Sequence, residues 1–491
     1  MAEKSARPFP RALRWVMPSL SHWLWLALFL ILLADPWRTA LVASDGDACM
    51  HWRVGEHMLQ TGQIIRADVF SHTRYGQPII SKEWLGEIIL ALAARGLGGY
   101  FGLCVVTALV IATAFALLHW QLVRDGADIL VATIVVMLAA WASATHWLAR
   151  PHVFSILMIV LWNDALRNHE RDGNARRLAV KLGVLTLFWV NLHGAYLAGA
   201  LVLGAYGLGA LLERNRPKLA ALMGAALVCA LISLLNPNGY HLHAHNLRFL
   251  NSNFLTDWLA EYASTNFHKP EARGFLVWLA LIFLTLTLCR PKLAAGSAAV
   301  LISWTYFALY AGRNIPFLAI LSAPILATAI SEAVPEKWRG FSQRAAQTNA
   351  ASGGWPLVAV LAIVAVVLFP QPTEMPASRW PTAAVKFIGD NPKKFSGNMF
   401  NQYAWGGYLM EALPEHKVFV DGRTDFYGDG LIREFEATAG VRTNWTQALE
   451  KYSVSWSLMP ADHRMNLALA LLPGWERVYS NDVATIYVKT P

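Results

Sequence analysis

Residues Trp15–Ala34 read WVMPSLSHWLWLALFLILLA, and His22 is the sole ionisable side chain among them. At 1.5 Å of rise per residue, a helix of about 20 residues crosses a hydrocarbon core. The stretch is long for the apolar part of a signal peptide, and Leu33-Ala34-Asp35-Pro36 is a poor cleavage site, so the reading is a retained membrane helix. The remainder of the chain agrees. Of its 491 residues, 55% are apolar and 15% charged, where a soluble protein carries roughly a quarter charged residues. Ten further apolar stretches fall at about 100–120, 127–148, 152–165, 179–192, 195–212, 218–235, 274–289, 293–312, 314–331 and 355–370. The expected fold class is an α-helical polytopic membrane protein of about 11 transmembrane helices.

The charge of +9 is distributed in a way that gives orientation. Every second connection is basic: Lys4, Arg7, Arg11 and Arg14; Arg124; Arg167, Arg171, Arg176, Arg177 and Lys181; Arg214, Arg216 and Lys218; Arg290 and Lys292; Lys337, Arg339 and Arg344. The positive-inside rule assigns these to the cytoplasm. The surplus is therefore a topology signal with some attraction to anionic membrane lipid, and a nucleic-acid groove is excluded. The complementary connections face outward: 35–99, Arg150–His152, Asn191–Gly194, 236–273, Arg313-Asn314 and everything after Phe369. They hold nearly all the unusual polar residues, which predicts chemistry at the outer face.

Segment 35–99 is too polar to span, yet Trp52–Leu59 and Trp84–Leu92 carry apolar residues at helical spacing and read as interfacial helices. After Pro370 the composition changes. Alternating runs at Asn398–Phe400, Lys417–Val420, Val454–Met459, Trp475–Tyr479 and Val483–Val488 read as strands. Helical stretches fall around Gly407–Leu413, Leu431–Thr438, Trp445–Lys451 and Met465–Leu472. The expectation is a transmembrane domain, 1–370, followed by an extracytoplasmic α/β domain, 371–491. Cys104, Cys229 and Cys289 lie in apolar stretches and Cys49 in a polar one, so there is no disulfide framework.

Ser44-Asp45-Gly46-Asp47, just after the first helix, carries the strongest chemical signal. A carboxylate there suits proton removal from an attacking hydroxyl, or coordination of Mg²⁺ or Mn²⁺. Asp-Gly-Asp is equally good turn chemistry, so spacing alone leaves a solvated turn open. Arg150, His152, His193 and Arg313 lie at outer helix ends on four segments. Arginine offers a planar fork for phosphate, but a helix-end cation also anchors in headgroups, and His193 fits a structural role as well. Asp257 and Glu261, four apart, form a second carboxylate pair, with Asp257 and Asp45 as candidate metal ligands. His241, His243 and His245 alternate, but without a companion glutamate they read as a hydrogen-bonded interfacial helix.

The run Asp47-Ala-Cys-Met-His51-Trp52-Arg53-Val-Gly55-Glu56-His57-Met58-Leu59-Gln-Thr-Gly62 resembles the first outer loop of the GT-C superfamily glycosyltransferases. That superfamily includes oligosaccharyltransferase catalytic subunits, protein O-mannosyltransferases and aminoarabinose transferases. Asp68-Val-Phe70-Ser71-His-Thr73, Glu83-Trp84-Leu85, Arg150-Pro151-His152, Trp189-Val-Asn191-Leu-His193-Gly194, Asn236-Pro237-Asn238-Gly239, Arg313-Asn314-Ile-Pro316, Tyr403-Ala-Trp405-Gly406-Gly407-Tyr408 and Val420-Asp421-Gly422-Arg423-Asp425 are similar to a bacterial branch of it. The resemblance implies that Asp47, with Asp45, is catalytic. It implies that Arg150, His152, His193, Arg313, Asn314, Tyr403 and Trp405 bind substrate. The implied donor is a sugar on a polyprenyl phosphate in the bacterial inner membrane, and the implied acceptor is an extracytoplasmic lipid, polysaccharide or protein. Tyr403–Tyr408 lacks the aspartate of the oligosaccharyltransferase Trp-Trp-Asp-Tyr-Gly motif, so recognition of a peptide sequon is not implied. A transporter or flippase of lipid-linked sugars, or a non-catalytic scaffold, is the alternative; neither paired repeats nor charges in mid-helix favour transport.

Overall fold

The computed structural model describes residues 17–351, 354–369 and 375–490. Lys4, Arg7, Arg11, Arg14, the Trp15 start of the first apolar stretch and the expected boundary at 370–371 lie outside the described residues.

Each apolar stretch is helical. The helices run Leu20–Leu33, Tyr100–Arg124, Ile129–Ser143, His152–Asp172, Ala175–Leu192, Leu197–Leu212, Arg216–Ile232, Arg273–Leu284, Ala295–Tyr310, Ile315–Glu332 and Pro356–Leu368. Among the described residues, five helical segments are long and apolar enough by length and composition to cross a membrane: Tyr100–Arg124, Ile129–His146, Gly194–Leu212, Pro270–Cys289 and Gly312–Glu332. A sixth is Leu20–Leu33 taken together with Trp37–Ala43, which bends away by 66°. Local chemistry sets the ends. Asp128, Asn174 and Asn215 each accept a backbone N–H as N-caps, and Gly173 ends its helix at φ 62°, a conformation in which a side chain would be strained.

Three of the basic connections meet at one end of the bundle. Asp125 takes Arg124, Arg167 (2.6 Å) and Arg171, and Lys218 reaches Glu170 at 2.8 Å. The loops around Arg124, Arg171 and Lys218, far apart in sequence, therefore lie at the same end. The opposite end is built from the two amphipathic helices of segment 35–99, Asp47–Thr61 and Trp84–Leu97, and from the C-terminal segment laid over them.

That C-terminal segment holds a four-stranded sheet, β1 (Asn398–Asn401), β2 (Val454–Pro460), β3 (Trp475–Ser480) and β4 (Ala484–Lys489), in the order β1-β2-β4-β3. β1 and β2 are parallel, with Met399 opposite Trp456; β4 is antiparallel to β2, with Ile486 opposite Leu458. The helices Thr382–Asp390, Gly406–Ala412, Thr424–Ala439, Thr446–Lys451 and Arg464–Leu471 complete it. Lys417–Val420 departs from expectation, because it is not a strand of this sheet. Its backbone pairs with segment 35–99 instead: Val418 N–H donates to Phe70 O, and His72 N–H to Val418 O, both at 3.0 Å. The Asn401 side chain joins it to β1, accepting from Phe419 N–H at 2.8 Å and donating to Val420 O at 2.9 Å.

A buried ion set locks the same seam. Arg423 donates to Asp68 (2.7 Å) and to Asp421 (2.6 Å), and both carboxylates are fully buried. Tyr427 Oη adds a bond to Asp421 at 2.6 Å. The Asp68–Thr73 and Val420–Asp425 motifs are thus largely a clasp between segment 35–99 and the C-terminal segment.

Candidate active site

Asp47 opens its helix, with Gly46 as the N-cap. A carboxylate in a first turn faces unpaired N–H groups and the positive end of the helix dipole. Asp45 Oδ1 accepts the Asp47 N–H at 3.0 Å. Across from them the Arg150 corner is pinned to the Trp37–Ala43 helix, since Ala149 N–H donates to Leu41 O at 2.8 Å. The Arg150 guanidinium then grips both acids. Nε donates to Asp45 Oδ1 at 3.1 Å, and Nη2 lies between Asp45 Oδ2 and Asp47 Oδ2, 3.0 Å from the latter. Nη1 faces Glu261 at 3.6 Å. Glu261 also takes Arg313 Nη1 at 3.0 Å, and the Arg313 guanidinium lies 4.4 Å over the Tyr262 ring. Two guanidiniums and three carboxylates form one chain of charge.

Burial pushes the Asp47 carboxyl up to about 6, with neighbouring Asp45 and Glu261 adding to the push and Arg150 opposing it. Glu261 goes the other way: burial works against its charge, but Arg313 and Arg150 outweigh it and hold the carboxyl at about 2. Two carboxylates on one arginine are thereby divided into one that titrates near neutrality and one that stays ionised.

These groups line a cavity of about 1190 Å³. Its walls include Tyr403, Asn314, His152 and His193, so most of the expected substrate residues converge there. Their polar atoms are tied to the scaffold. His152 Nε2 is 2.8 Å from His146 O, His193 Nδ1 is 2.8 Å from Ser155 Oγ, and Asn314 donates to Phe307 O at 3.0 Å. One flank is apolar, with Leu201, Trp304, Tyr306, Phe307 and Tyr310, and both tyrosines are well exposed. Lys269, exposed, stands on the wall in segment 236–273. The C-terminal segment forms the roof. Gly422 packs directly on the acid: a Cβ there would fall 1.9 Å from Asp47 Oδ1.

Two expected site residues lie elsewhere. Trp405 is buried and off the cavity wall. Asp257 is exposed, because its helix ends at Trp258 and Leu259 is extended; Asp257 and Glu261 therefore do not share a helical face. A metal held by Asp45 and Asp257 does not fit this arrangement, since Arg150 and the Asp47 N–H occupy the Asp45 carboxylate and Asp257 stands apart. The histidine triplet also separates. His243 meets Tyr196 Oη at 2.8 Å, whereas His245 meets Asp425 at 2.6 Å.

Further polar groups on the wall had a spacing signal. Asp47 and His51 are four apart on one helix, and Glu83 and Glu87 four apart at the start of another. His51 Nδ1 lies 3.0 Å from Glu87, and its Nε2 3.6 Å from Glu83. Lys82 reaches Asp425 at 2.7 Å and, with His245, holds that carboxyl well below its ordinary range despite burial.

No family model matches the chain, and no curated protein matches it in sequence. Solved structures do match in fold. The oligosaccharyltransferase of Archaeoglobus fulgidus in the apo form superposes with a TM-score of 0.57 at 13% identity, over 90% of this chain and 70% of that one. ArnT from Cupriavidus metallidurans bound to undecaprenyl phosphate gives 0.57 at 15% identity, over 96% and 98%. Archaeal oligosaccharyltransferase AglB from Archaeoglobus fulgidus, in complex with an inhibitory peptide and a dolichol-phosphate, gives 0.52 at 13%, over 96% and 74%. The chain has the fold of the GT-C glycosyltransferases.

Proposed function

We propose that this protein transfers a sugar from a polyprenyl-phosphate-linked donor to an extracytoplasmic acceptor, with Asp47 as the general base. The observation that carries the reading is the half-buried Asp47 carboxylate, paired with Arg150 at 3.0 Å on the wall of a cavity with an apolar flank. In this reading the chain spans a bacterial inner membrane eleven times, with its first residues cytoplasmic. Segment 371–491 is then an outer domain roofing the site, and the acceptor is a lipid, polysaccharide or protein.

The acceptor hydroxyl attacks the anomeric carbon, Asp47 takes its proton, and the bond to the lipid phosphate breaks with the electron pair staying on phosphate. Negative charge therefore grows on the leaving group, where fixed cations lower the barrier most. Arg150 is engaged by Asp45, Asp47 and Glu261 and serves chiefly to hold the acids. Arg313 has a single carboxylate partner among the described residues. With Lys269 on the same wall, it is the better phosphate ligand. The apolar flank with Tyr306 and Tyr310 suits the polyprenyl chain.

The test is transfer in proteoliposomes with a polyprenyl-linked sugar and candidate acceptors. Asp47→Asn is expected to lower the rate by roughly a hundredfold to ten-thousandfold while donor binding persists. Movement of the lipid-linked sugar across the bilayer without bond cleavage would replace transfer with the flippase reading.

A further inference from the structure

His51, Glu83 and Glu87 take no part in the chemistry above, yet they converge. His51 lies one turn beyond Asp47, and Glu83 and Glu87 are one turn apart at the start of Trp84–Leu97. The two helices touch at Gly55, where a Cβ would come within 2.1 Å of the Glu87 carbonyl oxygen, so the side chains have little freedom to part. One nitrogen of His51 and one carboxylate oxygen from each glutamate lie within 4.8 Å of one another, and all three residues are buried. Glu83 is the telling member. Its side chain is 10% exposed, and two imidazole nitrogens, His51 Nε2 and His193 Nε2, stand 3.6 Å from its carboxylate oxygens, beyond hydrogen-bond distance. Adjacent Lys82 is committed to Asp425. Two glutamates against at most one imidazolium leave net negative charge in a buried place, and a buried charge without a bonded partner is costly. A divalent cation with a neutral imidazole leaves none.

We propose that His51, Glu83 and Glu87 form a binding site for a divalent transition cation of the Zn²⁺ class. An imidazole nitrogen with two carboxylates suits zinc, whereas Mg²⁺ and Ca²⁺ take all-oxygen sets. Bonds of about 2.0–2.2 Å put tetrahedral ligand atoms about 3.4 Å apart, so side-chain rotation of about 1 Å closes the site. Three protein ligands leave a fourth position, and all three residues line the cavity. Bound there, the ion ties the first turns of Asp47–Thr61 to Trp84–Leu97 and so fixes the Asp47 backbone. Metal content reads the site directly and does not depend on the transfer reading.

The full-length protein in detergent, stripped with chelator and dialysed, is titrated with ZnCl₂ by calorimetry, and its metal content is measured by mass spectrometry. The expected result is one Zn²⁺ per chain, retained against excess Mg²⁺. Affinity should fall at least about tenfold in Glu83→Gln and in His51→Gln, and stay unchanged in Asp257→Asn. Zinc-edge absorption on the wild type, which needs no variant to fold, should give one nitrogen and two carboxylates without sulfur. A wild type that takes up no zinc, a double variant Glu83→Gln/Glu87→Gln that binds like wild type, or sulfur ligation at the edge would each overturn the assignment.

Discussion

Asp47 sits near pH 6 because the fold buries it beside two other acids, and this makes activity and stability move in opposite directions. At about pH 7 roughly nine molecules in ten carry the carboxylate, and at about pH 5 roughly one in ten. Transfer should therefore fall about tenfold between those values, with an acid limb centred near 6. The folded pKa lies above the ordinary 3.8, so between about pH 4 and pH 6 the folded protein binds more protons than the unfolded chain, and stability declines as pH rises through that window. The gap of about two units corresponds to about 3 kcal/mol. Asp47→Asn removes the charge and keeps the shape, so it should inactivate transfer and raise stability at neutral pH by up to that amount. Arg150→Gln does the reverse to the acids: it withdraws the guanidinium that opposes burial, moves any residual acid limb to higher pH, and costs about 3–5 kcal/mol by leaving buried carboxylates unpaired. Initial transfer rates over about pH 5 to 8 in proteoliposomes, with thermal unfolding of the same preparations, measure both. An acid limb near 4, or an Asp47→Asn protein less stable than wild type, would refute the electrostatic reasoning.

Gly422→Ala places a methyl 1.9 Å from Asp47 Oδ1; with overpacking costs of about 1–3 kcal/mol, it should cut transfer strongly while the protein still extracts as a folded monodisperse species. Arg423→Met leaves Asp68 and Asp421 buried without their cation, at about 3–5 kcal/mol, and limited proteolysis should cleave the C-terminal segment 375–490 faster than in the wild type. Reporter fusions at positions 214, 291 and 340 should read cytoplasmic and fusions after 375 periplasmic; a cytoplasmic C-terminal reporter would reverse the proposed orientation and remove the outer-face site.

The apolar helices were legible because a backbone in hydrocarbon must satisfy its hydrogen bonds within its own segment, so composition alone marks where helices fall. All of the apolar stretches coincide with helices of the structure. The bend of 66° after Leu33 was less visible, since it depends on how Trp37–Ala43 packs across the bundle end. Lys417–Val420 shows the limit more sharply. Its residues have strand character, and its backbone does pair, but the partner lies near Phe70 and His72 in segment 35–99. Propensity specifies an extended segment and not which edge receives it.

The site divides in the same way. Asp45, Asp47 and Arg150 stand out in sequence at the ends of apolar stretches and meet in the fold, but their coupling through Glu261 was not legible. Asp257 and Glu261 are four apart, and only the break at Leu259 decides that the second faces the cavity while the first faces solvent. Gly422 carries the argument furthest. From sequence it belongs to a turn-rich run in another part of the chain; in the fold it packs against the Asp47 carboxylate, whose burial lifts the acid toward neutrality. The Asp47 carboxyl is thus covered by a segment some 375 residues downstream, clasped to segment 35–99 by Arg423 between Asp68 and Asp421. Loosening that clasp should expose Asp47, lower its pKa toward the ordinary carboxylate value and shift the acid limb to lower pH, so a stability defect more than 300 residues away in sequence would be read as a change in the acidity of the base.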